Sequence, residues 1–139
     1  MEFVKTAMEF LNCSPLTKAA KAIELITPAI AAHLVENNGK LDEDFALNVV
    51  KGSIFSLVCS DMFGEIVDGE IFKEKAKKLI LFMKEDAQIN QLIETHLKTK
   101  GIMNSGKILL GESSVKNLQT VYNEVIPLVV NLLKDMKVA

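Results

Sequence analysis

Arginine and tryptophan are absent from this chain of 139 residues, and tyrosine occurs once, as Tyr122. Without arginine, the chain lacks the planar guanidinium group that binds phosphate, carboxylate or guanine through two parallel hydrogen bonds. Aromatic platforms on which single-stranded bases stack are also scarce. The chain has sixteen lysines and eighteen acidic residues, which gives a net charge of -2. The excess of basic residues that is typical of a nucleic-acid-binding protein is therefore missing. We therefore predict no binding of nucleic acid.

Cysteine and long hydrophobic runs are scarce as well. Cys13 and Cys59 belong to no CxxC pair, and no second thiol or histidine lies near either of them at zinc-site spacing. The first residues lack the apolar core of a secretory signal. The longest apolar stretches, Ala22–Val35 and Val125–Leu133, are shorter than the ~20 residues that cross a bilayer. The sequence therefore predicts a reduced, cytoplasmic protein with no membrane span.

The rest of the composition is that of a globular domain. Apolar residues make up 49% of the chain and charged residues 24%. A chain of this length buries roughly two-thirds of its unfolded surface, so it needs neither a disulfide nor a metal to fold. The length also matches one domain. We therefore expect residues 1–139 to form a single domain.

Hydrophobic periodicity is helical along almost the whole chain and predicts an all-α bundle of five or six helices. A short amphipathic helix comes first, with Phe3, Ala7, Met8 and Leu11 on its apolar face. Further helices are expected at about Pro15–Glu36, Asp42–Asp61 and Glu70–Lys84, from a cap at Asp86 through Lys100, and at Ser114–Lys137. Two of them are predicted to be kinked, at Pro28 and Pro127, because proline removes a backbone hydrogen bond inside a helix.

Gly101–Lys107 reads GIMNSGK and matches the first seven positions of a phosphate-binding P-loop. A P-loop needs a strand before it, a helix after it, and a serine or threonine after the lysine to hold magnesium. Here the preceding residues, 92–100, have a helical pattern, and Ile108 replaces the hydroxyl residue. We therefore interpret Gly101–Ser114 as a structural loop and predict no nucleotide or other cofactor.

One acidic turn is the candidate metal site. Four carboxylates lie within ten residues there, those of Glu65, Asp68, Glu70 and Glu74. Their spacing is not that of a calcium loop, so acids that stabilise helix N-termini are the favoured interpretation and metal binding is the alternative. This turn and a related one at 38–44 resemble, over about seven residues each, the acidic turns of the helical tellurite-resistance domain family, which are associated with metal. The resemblance covers these two stretches alone and assigns no family to the chain.

Candidate catalytic groups are few. His33, in an apolar helix, and His96, in a polar one, are the only histidines. A nucleophile and its base can come from distant parts of a chain, so a pair formed by Cys59 and His33 stays open at this point. No G-x-S-x-G, HExxH or ExxH motif is present. The sequence therefore predicts no enzymatic activity.

A surplus of apolar helix surface is the most informative feature. Ala19–Val35, Ala46–Met62 and Val115–Leu133 are each apolar over more than one stripe. A helix that is apolar all round is buried all round, and a small bundle has room for one such helix, occasionally two. We therefore expect another molecule to cover the remainder. The predicted contact residues are Ile26, Ile30, Val125, Val129 and Leu133.

Together these features predict a small acidic helical interaction or regulatory protein, an adaptor or an immunity-type inhibitor, with a homodimer as the first expectation. Such a protein exposes an apolar patch on its monomer. One alternative is a module that binds an apolar small molecule or lipid in its core, in a pocket of about 300 Å³ or more opened by Pro28 and Pro127. The other is a metal-binding domain formed by the acidic turns.

Overall fold

The structure, a computed structural model, describes residues 2–13, 19–63, 69–105, 107–108 and 112–137. Six α-helices make up 86% of these residues. The helices are α1 (Glu2–Cys13), α2 (Ala19–Glu36), α3 (Glu43–Phe63), α4 (Gly69–Glu85), α5 (Ala87–Thr99) and α6 (Glu112–Asp135). Between α5 and α6, the short strands β1 (Met103–Asn104) and β2 (Lys107–Ile108) pair antiparallel, with Met103 opposite Ile108. The predicted all-α bundle is confirmed.

Aspartate side chains begin two of the helices by accepting hydrogen bonds from backbone N–H groups that have no partner within the helix. The Oδ1 of Asp86 accepts a bond of 2.9 Å from the N–H of Ile89, which makes Asp86 the N-cap of α5 as predicted. The Oδ1 of Asp42 accepts from the N–H groups of Asp44 and Phe45 at 3.0 and 3.3 Å. Asp42 therefore precedes α3 instead of lying inside it.

Helix α3 is the centre of the bundle. Every residue in 49–59 is buried, and the helix contacts α1, α2, α4, α6 and β2. An all-round apolar helix requires this environment. Within the part of the chain that the structure describes, α3 alone is long and apolar enough to cross a membrane, and 67% of its most apolar window is buried in the bundle.

Helix α1 packs closely against α3. A Cβ atom at Gly52 would lie 3.2 Å from both the backbone nitrogen of Ala7 and the Cγ2 of Thr6, so this approach depends on the absence of a side chain. One turn further along α3, the buried hydroxyl of Ser56 donates a hydrogen bond of 2.6 Å to the carbonyl oxygen of Ala7. The bond satisfies a polar group that would otherwise be costly to bury.

Some predicted local features are not tested by this fold. Pro15, the expected start of the second helix, lies outside the described residues. Pro28 and Pro127 lie inside α2 and α6, as expected, and a kink at either position stays a prediction.

Candidate functional site

His33, the candidate catalytic base, links the end of α2 to the start of α3. Its ring stacks on that of Phe45, with the ring centroids 4.2 Å apart and 8° between the planes. Its Nε2 accepts a hydrogen bond of 3.2 Å from the N–H of Asp42, and the Nδ2 of Asn37 lies 3.1 Å from its Nδ1. One face and the Nε2 of the imidazole are engaged, so His33 joins the end of α2 to the start of α3.

Cys59, the candidate nucleophile, is fully buried on α3. Its Sγ lies 3.9 Å from the carbonyl oxygen of Ala76, and burial raises the pKa of its thiol to about 12. Nucleophilic cysteines act as thiolates, which this environment suppresses at neutral pH. Cys59 also lies fourteen residues along α3 from Phe45, the residue on which His33 stacks. That separation is about 21 Å of helix, so the structure does not bring Cys59 and His33 together.

His96 and the glycine-rich segment 101–107, the other candidates from the sequence, have structural roles close to their own positions in the chain. The Nδ1 of His96 lies 3.0 Å from the carbonyl oxygen of Leu92, one turn back in the same helix. Helix α5 precedes the glycine-rich segment 101–107, and strand β2 begins within it. A P-loop has the opposite order, strand before and helix after. The interpretation of this segment as a structural loop agrees with the hairpin observed.

The acidic turn is only partly described. Glu65 and Asp68 lie outside the described residues, whereas Glu70 and Glu74 are exposed on α4. Among the described residues, no three histidine, cysteine or acidic side chains are grouped to hold a metal ion. Two carboxylates one helical turn apart supply too few ligands for calcium, which takes about six to eight oxygens.

Lys51 is the only buried charged residue in the described part of the chain. Its Nζ donates to the Oε1 of Glu94 at 2.8 Å and to the Oδ1 of Asn90 at 3.5 Å. The Nδ2 of Asn90 in turn donates to three carbonyl oxygens around the α4–α5 junction, those of Met83, Lys84 and Asp86. This network ties α3 to the junction, so we assign Lys51 a structural role.

The five predicted contact residues are buried inside the chain itself. Val125, Val129 and Leu133 are fully buried along one stripe of α6, and Ile26 and Ile30 are nearly so on α2. Residues four apart share one helix face, and on α6 that face packs on the core while the opposite face is exposed. Helix α6 therefore buries one face, and the apolar surplus predicted for Val115–Leu133 is not seen there. The candidate surface for a partner therefore excludes the three α6 residues and stays on α2, around Ile26 and Ile30.

Helix α2 keeps the surplus apolar surface. Twelve of its eighteen residues are apolar, yet four are buried, Ala19, Ala22, Ile26 and Ile30. Val35 is 80% exposed, the highest value for a large apolar side chain in the described chain. A groove of about 200 Å³ runs along this helix, and we call it the α2 groove. Its lining residues are Ile23, Ile26, Thr27, Ile30, Ala31 and Leu34, with Leu118 of α6.

A second concave site lies where α2, α3 and α6 meet, and we call it the α2–α3–α6 cavity. Its volume is about 560 Å³. Its apolar lining residues are Ala19, Ala20, Leu57, Ile126 and Pro127, and its polar ones are Ser60, Asp61, Gln119, Tyr122 and Asn123. The cavity adjoins Pro127, where the core-binding alternative expects space, but half of its described lining residues are polar.

Tyr122 forms a buried wall of this cavity. The hydroxyl of Ser53 donates its one hydrogen to the carbonyl oxygen of Val50 at 2.6 Å, so the Tyr122 hydroxyl is the donor in its own bond with Ser53. Burial raises the pKa of Tyr122 well above its ordinary value, and the bond with Ser53 opposes that rise in part. The phenol is therefore neutral at physiological pH, and its hydrogen is used in the hydrogen bond to Ser53.

One signal for the cavity was present in the sequence. Gln119 and Asn123 are four residues apart and so share one face of α6. Leu57, Ser60 and Asp61 come from α3 and the two alanines from α2, so the site depends on how three helices pack. No protein-family model, curated protein or solved structure matches this chain. Its function is therefore inferred from the α2 groove and the α2–α3–α6 cavity.

Proposed function

We propose that this protein is a helical interaction protein, without catalytic activity, that pairs with a second copy of itself through the α2 groove. The single observation behind this proposal is that only four of the twelve apolar residues of α2 are buried, beside an apolar groove. The groove runs from Ile23 to Leu34, which is about 17 Å, or three turns of helix. An apolar groove of this kind accepts the apolar face of another helix.

Self-association suits this surface because the groove lies on a helix that is itself apolar. In a twofold dimer the same patch serves both subunits, so α2 supplies the ridge as well as the groove. The lining side chains of α2 that are exposed or half-buried are Ile23, Thr27, Ala31 and Leu34, which carry no charge. Two copies can therefore approach here without burying an unpaired charge.

Three titratable side chains are engaged by the fold itself, which supports a role in binding. Cys59 is a buried thiol whose pKa is raised to about 12. His33 is engaged by Phe45 and Asp42, and the Tyr122 hydroxyl by Ser53. A catalytic group has to reach a substrate atom within hydrogen-bond distance, and these three are directed at the protein itself.

Two neighbouring alanines supply a matched test. Ala31 and Ala32 are both exposed on α2, but only Ala31 lines the groove. We expect Ala31→Glu to convert the dimer into a monomer, because it places an unpaired charge in the interface. Ala32→Glu adds the same charge to the same helix and leaves the dimer intact. Native mass spectrometry measures the mass of each variant, and far-UV circular dichroism verifies that both remain helical.

The adaptor or immunity-type role predicted from the sequence uses the same groove with a different protein as partner. It predicts a monomer that remains a monomer in both variants. A dimer that Ala31→Glu and Ala32→Glu affect equally contradicts pairing through the groove.

A further inference from the structure

We infer that the α2–α3–α6 cavity binds a small molecule that joins an apolar body to a protonated amine. At about 560 Å³, the cavity lies within the range of small-molecule sites, about 300–1,000 Å³. It shares no described lining residue with the α2 groove. The inference therefore goes beyond the proposed pairing and does not depend on it.

Polar side chains of the cavity have hydrogen-bonding capacity to spare. Within the part of the chain that the structure describes, Ser60, Gln119 and Asn123 make no side-chain hydrogen bond, and Asp61 forms no ion pair. Asp61, Gln119 and Asn123 are exposed and Ser60 is half-buried, so all four side chains can reach a ligand. A few convergent polar groups in a mostly formed pocket are what fixes the orientation of a ligand.

The apolar part of the lining calls for an apolar body of moderate size. Leu57, Ile126 and Pro127 line the cavity from α3 and α6, and Ala19 and Ala20 line it from α2. The two alanines leave the volume that larger side chains at the same positions of α2 would fill. Tyr122 adds an aromatic residue, but its hydroxyl is bonded to Ser53 and is not available to a ligand.

The charge of the lining selects a cation. Asp61 is the one charged side chain among the described lining residues. A carboxylate attracts an ammonium group and repels a second carboxylate, and a bond between the two charged groups is stronger than one between neutral groups. The amide and hydroxyl groups beside it accept the remaining N–H hydrogens of an amine. No described arginine, lysine or histidine lines the cavity to favour an anion.

Tyr122 provides a direct readout, because it is the only tyrosine in a chain without tryptophan and lies in the cavity wall. We would titrate its fluorescence with cyclohexylmethylamine, cyclohexylmethanol and cyclohexanecarboxylate, which share one apolar ring and differ in head group. None of the three absorbs where tyrosine does. We expect the amine to bind up to about fivefold more tightly than the alcohol, and the carboxylate to bind most weakly.

Two pairs of variants locate the site. Asp61→Asn is expected to remove the preference for the amine, a loss of up to about fivefold, while Asp135→Asn at the far end of α6 leaves it unchanged. Ala20→Leu reduces the volume of the cavity and weakens all three probes, whereas Ala32→Leu on the same helix does not. All four side chains are exposed, so the helices tolerate the changes.

Three results would overturn the inference. One is the absence of any fluorescence change at millimolar amine. Another is equal affinity for the three probes, and the third is an amine affinity that Asp61→Asn and Asp135→Asn leave alike. None of them bears on the dimer, because the probes and variants do not touch the α2 groove.

Discussion

The hydroxyl of Tyr122 on α6 donates its hydrogen bond to the hydroxyl of Ser53 on the central helix α3. The hydroxyl of Ser53 donates a hydrogen bond to the carbonyl oxygen of Val50, so the three residues form a short buried chain of hydrogen bonds. Both side chains are fully buried. The pair fixes α6 against α3 next to the α2–α3–α6 cavity, and its strength can be measured.

We expect Ser53→Ala to lower the free energy of unfolding by about 1–3 kcal/mol, because it leaves the buried Tyr122 hydroxyl without an acceptor. Tyr122→Phe removes the donor and is expected to cost about 1 kcal/mol, since Ser53 keeps its bond to Val50. Urea denaturation measures both variants and the double variant. Coupling of at least about 0.5 kcal/mol in the double-mutant cycle is expected, and additive losses would mean that the two hydroxyls do not interact.

Stability is expected to fall in alkaline solution because of Cys59. Its pKa is about 12 in the folded chain, against 9.0 as the ordinary value that applies when the chain unfolds. Below pH ~9 both states hold the proton, so stability does not change. Above that pH the unfolded state loses the proton first, and the free energy of unfolding falls by about 1.4 kcal/mol per pH unit until about pH 12.

Urea denaturation between pH 8 and about pH 10 measures this slope, and Cys59→Ala is the control that removes it. Tyr122, whose pKa burial also raises, adds its own loss only above its ordinary value of 10.0. A slope that is the same with and without Cys59 would show that the thiol titrates alike in the folded and unfolded chains.

Removing the counter-ion of the buried Lys51 is expected to destabilise the fold more than removing the charge of Lys51 itself. Glu94→Gln leaves the charge of Lys51 buried without a counter-ion and is expected to cost about 2 kcal/mol. Lys51→Met keeps the apolar stem, removes the charge, and is expected to cost less. Thermal unfolding of the two variants gives the order of their stabilities. The reverse order would mean that the ion pair itself stabilises the bundle.

Gly52 is expected to tolerate no larger side chain. Gly52→Val places atoms against α1, where a Cβ atom at this position would already lie 3.2 Å from the backbone of Ala7 and the side chain of Thr6. We expect a loss of about 1–3 kcal/mol, the usual cost of overpacking a core. Hydrogen exchange of the α1 amides then rises more than that of the α5 amides. Unchanged protection of α1 would show that the contact between α1 and α3 is loose.

Local features of this fold were predictable from the sequence because they depend on neighbours along the chain. The helical periodicity and the cap at Asp86 are of this kind, and both agree with the structure. The position of Asp42 outside α3 was not predicted, because an acid before a helix and an acid in its first turn look alike in sequence. The hairpin of β1 and β2 was too short for strand alternation to reveal it.

The surfaces were harder to predict because they depend on which helix lies at the centre. Three helices had similar apolar content, and the structure buries the middle of α3 completely, gives α6 one buried face and leaves α2 at the edge. Val125 and Val129 therefore belong to the core, and the proposed partner surface lies around Ala31 instead. The lining of the cavity could not be predicted, because it comes from three helices whose packing the sequence pattern does not reveal.

Native mass spectrometry of the wild-type chain over a range of concentrations tests the proposed function most directly. Pairing through the α2 groove predicts a species of twice 15.3 kDa that loses its partner on dilution and in Ala31→Glu, but not in Ala32→Glu. A single species of 15.3 kDa at every concentration would contradict self-association.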